Sequence, residues 1–384
     1  MPIYRSSGLL PQKHFTLLKG PHGGWCHEEL ITHQGFGGET ALLYHLRPPT
    51  SMLRVEELEP LDNATADTPL RNYLFAASPP DSAGDQLASR RTFFRGEHVS
   101  FSLATPTAPT DGFYRNGWSD ELVLVTSGSG VLRSAFGDLR YRDLDLVHVP
   151  RSVTVQWIPD AVPHHTVVVE STAPISIPPH FRDPSTGQFR ESAPYHERDI
   201  RAPESREAVD ETGEFPILVK YGSRRARYWL DHHPFDVVGW DGYLYPFALN
   251  LDDYEPKVGR IDALPDQYQV FVTEGTLMMV IVPRRRADHP DSSPAQPHHM
   301  NTDIDEILYR IGGSNRATDP GAGTITLHPR GLAHGPRAGF LDQPKTDMLP
   351  LYGFMLDTRD HLQVTEHAVA AMQDNDLAAW RGNP

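Results

Sequence analysis

The chain reads as an all-β protein built from two related barrels, and three observations predict this. Proline (35) and glycine (30) are spread along all 384 residues and cut the sequence into short segments, which suits strands and tight turns rather than long helices. Apolar runs of strand length are dense in both halves. One pattern also occurs twice. FYRNGWSDELVLVTSGSG (113–130) and HHMNTDIDEILYRIGGS (298–314) place Tyr114, Asn116 and Glu121 at the same spacing as His299, Asn301 and Glu306.

Taken in order, residues 1–100 read as an N-terminal arm with the first strands. The arm is irregular to residue 50 except for ETALLYHLRPPT (39–50), and SPPDSAGDQLASR (78–90) is a loop by composition. Residues 101–175 form the first barrel. Within it, ELVLVTSGSGVLRSAF (121–136) reads as a hairpin around a Ser-Gly-Ser-Gly turn. GDLRYRDLDLVHVP (137–150), SVTVQWIP (152–159) and HTVVVEST (165–172) follow as strands. Residues 176–215 carry Pro and charge with no sustained period and read as a linker across the surface. Residues 216–360 form the second barrel, from FPILVKYGSRRARYWL (215–230) to MLPLYGFMLDT (348–358). Residues 361–384 end the chain in a helix, because EHAVAAMQDNDLAAWRG (366–382) has helical spacing.

Composition narrows the class. A formal charge of −15 repels nucleic acid and anionic membrane surfaces, so neither is expected as a partner. Cys26 is the single cysteine, which excludes an intramolecular disulfide framework and fits a reducing compartment. The most apolar window, TLMMVIVP (276–283), has the length of a buried strand rather than a membrane span. MPIYRSSGLLPQKHF has no apolar stretch of secretory-signal length. The expectation is a cytoplasmic protein.

The repeat then singles out chemistry. LVHVPRSVTVQW (146–157) resembles TLHPRGLAHGP (326–336), and Val155 follows Pro150 by the interval at which His334 follows Pro329. The second copy therefore offers His299, Glu306 and His334, where the first has Tyr114, Glu121 and Val155. Two histidines and one carboxylate that leave coordination positions open suit non-haem Fe(II), with Mn(II) and Ni(II) able to take the same ligands. A hard, mixed donor set without thiolate favours Fe(II) over Zn(II).

This double pattern resembles that of a bicupin, two jelly-roll β-barrels in one chain, and more narrowly the homogentisate 1,2-dioxygenase family. The matching stretches are FDVVGWDG (235–242), HMNTDIDE (299–306), TLHPRGLAHGP (326–336) and FYRNGWSDELVLV (113–125), and the likeness runs over most of the chain. The resemblance implies iron held by His299, Glu306 and His334, with dioxygen as co-substrate and His328 near the substrate. It also implies a cytosolic homo-oligomer, a trimer or hexamer, that opens the ring of homogentisate or a related hydroquinone carboxylic acid. The family carries an acid/base histidine directly after the VVxW tryptophan; this chain has Asp241 there. GGSNR (312–316) also stands where the family has a substrate-contacting tyrosine. Asp241 is thus the candidate base, with His232, His233 and His328 as competitors. Tyr243 and Tyr245 are candidate pocket walls. Arg310 shares the strand face of Glu306 and is a candidate for the substrate carboxylate, whereas RRR (284–286) reads as a solvated or inter-subunit patch. A gentisate-type dioxygenase, a metal-dependent isomerase and a non-catalytic ligand-binding bicupin remain alternatives.

Overall fold

The computed structural model describes residues 10–13, 16–20, 23–32, 40–45, 70–76, 84–161, 164–204, 206, 209, 211–222, 224–235, 244–261, 268–292, 297–313, 319, 321–336 and 346–373. Strands, numbered in chain order, dominate them. The first barrel is closed by two sheets. One contains β13 (Ile200–Arg201), β16 (Phe247–Asn250), β10 (Asp145–Val149), β7 (Asp120–Ser127), β12 (His165–Ser171), β5 (Val99–Ala104), β4 (Arg91–Arg95) and β25 (Gln363–Val364) in that spatial order. The other contains β15 (Arg224–His232), β14 (Thr212–Tyr221), β6 (Phe113–Asn116), β11 (Thr154–Pro159), β8 (Gly130–Ser134) and β9 (Gly137–Tyr141). The second barrel has one sheet of β17 (Gln269–Thr273), β18 (Thr276–Ile281), β24 (Leu351–Thr358), β21 (Asp305–Gly313), β22 (Thr324–His328) and β3 (Tyr73–Ala76). Its facing strands are β2 (Thr40–His45), β1 (His27–Thr32) and β20 (His298–Asn301), beside a short pair of β19 (Arg284–Arg285) and β23 (Met348–Leu349). This is the all-β bicupin architecture.

Burial on both faces explains why β7 reads as an unbroken apolar run over residues 122–125 and β21 over residues 307–309. Leu122 and Leu124 of β7 join the largest core cluster, together with Ile307 and Tyr309 of β21, Phe271 of β17 and Leu356 of β24. That cluster lies between the barrels. Val123 and Val125 instead point into the first barrel with Trp157, Val155 and Tyr141. Leu308 points into the second barrel with Met279, Met355 and Tyr268. A strand buried on both sides needs apolar residues at every position, so its sequence shows no polar–apolar period.

Strand pairing interlaces the two halves of the chain. β1 pairs in parallel with β20, and β3 pairs with β22, so strands of the N-terminal arm complete the second barrel. β14, β15 and β16, from the start of the 216–360 segment, complete the first barrel. β25 also returns to β4. Three further expectations are corrected. Residues 121–136 do not form a hairpin, because β7 pairs with β10 and β12 while β8 pairs with β9 and β11. The Ser-Gly turn carries the chain from one sheet to the other, as a two-layer barrel requires. The 176–215 segment is not only a surface linker: Phe181, Phe189 and Tyr195 enter the inter-barrel core, and Tyr195 Oη donates to the Val270 carbonyl at 2.6 Å. Among the described residues the C-terminal helix α1 covers Glu366–Ala370, and Met372 just beyond it bridges Phe75; residues 374–384 of the expected helical segment lie outside the described residues. Among those residues no helix is long and apolar enough to cross a membrane.

Candidate metal centre

β20 and the His334 segment bring the two histidines together. His299 N donates to the His334 carbonyl at 2.8 Å, and His334 N donates to the His299 carbonyl at 2.9 Å. The bend after His334 needs glycine: Gly335 has φ +143°, and a Cβ there would come within 2.8 Å of His298 Cα. β21 supplies Glu306, paired in register with His328 of β22 on one side and Asp357 of β24 on the other. All three predicted ligands are buried, and their ligand atoms lie within 4.8 Å of one another.

Protonation follows from hydrogen bonding. His299 Nδ1 lies 3.2 Å from the Pro297 carbonyl, and His334 Nδ1 lies 3.0 Å from the Leu332 carbonyl. A carbonyl only accepts, so each Nδ1 carries a proton, and in the neutral ring Nε2 is the nitrogen that presents a lone pair. Those Nε2 atoms stand 3.2 and 3.3 Å from Glu306 Oε2. Three ligand atoms converging in this buried space can share one cation. The separations suit neighbouring positions of a six-coordinate shell, where ligands about 2.1 Å from a metal lie about 3 Å apart. The donor set therefore fits a divalent metal such as iron.

The electrostatics agree. Burial lowers the His299 pKa, helped by neighbouring His334. Burial, again with His334, holds His328 well below the usual histidine range. Burial opposes the Glu306 charge, but His334 and His299 outweigh it and hold the carboxyl well below its ordinary value. The ionised carboxylate is the form that binds a metal, and the metal displaces any proton on Nε2 when it binds. Asn301 Nδ2 donates to Glu306 Oε2 at 3.3 Å and orients it.

Around this triad the structure sorts the other candidates. His328 stacks on His334 with parallel rings 4.2 Å apart. Its Nδ1 lies 3.3 Å from Oδ1 of Asn72, whose Nδ2 donates to the Ala333 carbonyl at 3.0 Å. Asn72 comes from the arm and was not found in the sequence; a contact spanning 256 residues leaves no spacing to read. Asp357 was also missed: it is fully buried, and burial with the Glu306 charge nearby pushes its carboxyl well above the ordinary range. Arg310 NH2 lies 3.0 and 3.1 Å from the two Asp319 carboxylate oxygens, so the protein itself supplies the carboxylate partner expected from substrate. Tyr245 is half-buried just before β16, a strand of the first barrel. His233 packs edge-on against Phe113, Phe215 and Phe235, likewise in the first barrel. Arg284 of the RRR patch is buried, and its NH2 donates to Tyr268 Oη at 2.5 Å. Asp241 and Tyr243 lie outside the described residues, as does the His232 side chain.

The first copy keeps this register. Val155 pairs with Tyr114 as His334 pairs with His299, and Glu170 pairs with Glu121 as Asp357 pairs with Glu306. The adjoining ion pairs match too. Arg151 Nε to Asp120 Oδ1 is 3.0 Å, and Arg330 Nε to Asp305 Oδ1 is 2.8 Å. In place of a metal, Arg90 NH1 donates to Glu121 Oε1 at 2.8 Å, and Tyr114 Oη donates to the same oxygen at 2.6 Å. Burial opposes the Glu121 charge, but Arg90 outweighs it and holds the carboxyl down at about 2.

Comparison with known proteins agrees with this reading. A family model described as homogentisate 1,2-dioxygenase N-terminal matches residues 101–251. "Putative dioxygenase SSO1533" of Saccharolobus solfataricus is 32% identical over 344 residues, covering 88% of this chain and 87% of that protein. Among solved structures, protein Ylba of E. coli is 8% identical, with 76% of this chain and 90% of that chain covered and a TM-score of 0.33. A cupin 2 conserved barrel domain protein of Leptotrichia buccalis is 8% identical, with coverage of 72% and 88% and a TM-score of 0.33. Those two likenesses are too distant to bear on chemistry. On its metal-ready second barrel, its matched first barrel and its relative of nearly full length, the chain belongs to the homogentisate 1,2-dioxygenase-like family of bicupin dioxygenases.

Proposed function

We propose that this protein is an Fe(II)-dependent dioxygenase that opens the ring of homogentisate or a closely related hydroquinone carboxylic acid. The observation carrying the reading is the buried convergence of His299, Glu306 and His334, with each Nδ1 held on a backbone carbonyl so that each Nε2 faces the common point. Ferrous iron held there would supply open positions for a phenolic oxygen and for dioxygen, and a path for electrons between them.

The chain's own residues do the rest. The carbonyls of Pro297 and Leu332 fix the two imidazoles, and Asn301 fixes the carboxylate. His328 keeps its Nδ1 proton on Asn72, which leaves Nε2 unprotonated and able to accept a phenolic proton. Burial keeps that imidazole neutral, as an acceptor must be. Asp241 is the competing base. A general base contributes about 10²–10⁴-fold, so a turnover within about threefold of the parent in Asp241→Asn would assign the base elsewhere. The same reading takes the protein as a cytoplasmic homo-oligomer that needs neither nucleic acid nor membrane.

The test is anaerobic reconstitution with Fe(II), followed by oxygen-electrode assays with homogentisate, gentisate and homoprotocatechuate. Stoichiometric oxygen uptake with homogentisate is expected. Uptake with gentisate alone would move the assignment to a gentisate-type enzyme. Conversion without oxygen would indicate an isomerase, and metal binding without turnover a ligand-binding protein.

A further inference from the structure

We propose that Asp357 binds a ring hydroxyl of the substrate inside the second barrel. The inference rests on the ring-cleaving reading above and names the end of the substrate that this wall receives. Asp357 stands directly across from Glu306 on β24, so its side chain enters the same interior. It is fully buried, and among the described residues neither carboxyl oxygen has a hydrogen-bond partner. Proteins rarely keep such a group without a use for it, because its desolvation is uncompensated.

The first barrel shows what a purely structural solution looks like. Glu170 occupies the same register position, across from Glu121. Its carboxylate receives Asn116 Nδ2 at 2.7 Å and Lys220 Nζ, with Arg90 NH1 at 3.5 Å. Among the described residues no such donor reaches Asp357. Two other buried polar atoms, Asn301 Oδ1 and Thr326 Oγ1, also lack partners. Thr326 lies opposite Leu308 and two residues from His328, on the same interior face. A carboxyl can both accept from and donate to a hydroxyl, so a ring hydroxyl brought to this wall would supply the hydrogen bond that Glu170 finds within the protein.

The experiment uses the full chain loaded with Co(II), whose visible absorption reports on the ligand set, as parent, Asp357→Leu and Asp357→Asn. Calorimetry under nitrogen measures binding of homogentisate and of 2- and 3-hydroxyphenylacetate, which each lack one ring hydroxyl. Co(II) affinity should change less than about threefold in both variants, because Asp357, unlike Asn301, makes no hydrogen bond to any of the three ligands. Asp357→Leu should weaken homogentisate binding by about 10- to 100-fold, and Asp357→Asn by less. Losing one of the two hydroxyls should cost the parent a similar factor and the Leu variant almost nothing, since that partner is already gone. The Leu variant should unfold at a temperature no lower than the parent. If it binds homogentisate as tightly as the parent, or loses Co(II) together with it, the assignment of Asp357 is overturned while the ring-cleaving reading stands. If the Co(II)-loaded parent binds none of the three acids, that reading and this inference fall together.

Discussion

In the first barrel a guanidinium holds Glu121, the counterpart of the carboxylate that the second barrel offers to a metal. Arg90 reaches Glu121 and Glu170, and Tyr114, Asn116 and Lys220 complete the set. Valine, tyrosine and tryptophan side chains pack the rest of that interior. Glu306, at the same place in the second barrel, meets the Nε2 atoms of two imidazoles, and its neighbour Asp357 meets no donor among the described residues. The backbone registers match, so the scaffold does not decide which barrel can bind a metal. The decision lies in the cation that balances the buried carboxylate. A protein-borne cation closes the site, whereas lone pairs leave it to an ion from solution. Burying charge without such balance would be too costly in either barrel.

Removing the charge from the open barrel is the strongest way to break this comparison. Glu306→Gln should reduce bound iron from one per chain to near zero and abolish oxygen uptake, at least a hundredfold, since outer partners of a metal site alone cost about 10–100-fold. Iron retained at parental stoichiometry would place the metal elsewhere. The matching change in the closed barrel attacks stability instead. Arg90→Met leaves Glu121 and Glu170 buried without their guanidinium and should destabilise the fold by about 3–5 kcal/mol, read by urea denaturation, with iron content per folded chain unchanged. Replacing both glutamates by Gln in the same chain should recover much of that loss.

Smaller changes sharpen the contrast. Asn301→Ala should weaken iron binding by about 10–100-fold by freeing the Glu306 carboxylate, measured by competition with a chelator. Asn116→Ala, its counterpart, should lower stability and leave iron untouched. The smallest effect is a pH dependence between the barrels. His98 Nδ1 lies 2.8 Å from Asp360 Oδ1, joining the β4–β5 turn to the segment after β24. That hydrogen bond raises the His98 pKa above its ordinary 6.5. A raised folded value means the native state holds the proton more tightly. Its stabilisation is therefore complete below pH 6.5 and fades as pH climbs through the folded value. Unfolding midpoints of the parent should fall slightly across that window relative to His98→Gln; parallel curves would remove the pair as a contributor.

The repeat made much of the site legible. Aligning Tyr114, Glu121 and Val155 with His299, Glu306 and His334 needs only spacing, and the structure pairs these positions in the same registers. The all-β class was legible from strand-length apolar runs. The Ser-Gly turn misled because a turn signal says that the chain bends, not which strand it bends toward. Arg310 misled because strand alternation gives its side but not Asp319, its partner across the hairpin.

By itself, the sequence determined that there are two related halves, that only one carries histidines at the repeat's ligand positions, and which three side chains could share a metal. Those facts depend on local spacing, and spacing survives without coordinates. Only the tertiary structure decided that the N-terminal arm supplies β1 and β3 to the metal barrel, that Asn72 turns His328, that Arg90 closes the first interior and that Asp357 stands open in the second. These pairings join residues far apart in the chain. They arise because buried strand edges and charges take whichever partner the packed fold brings near.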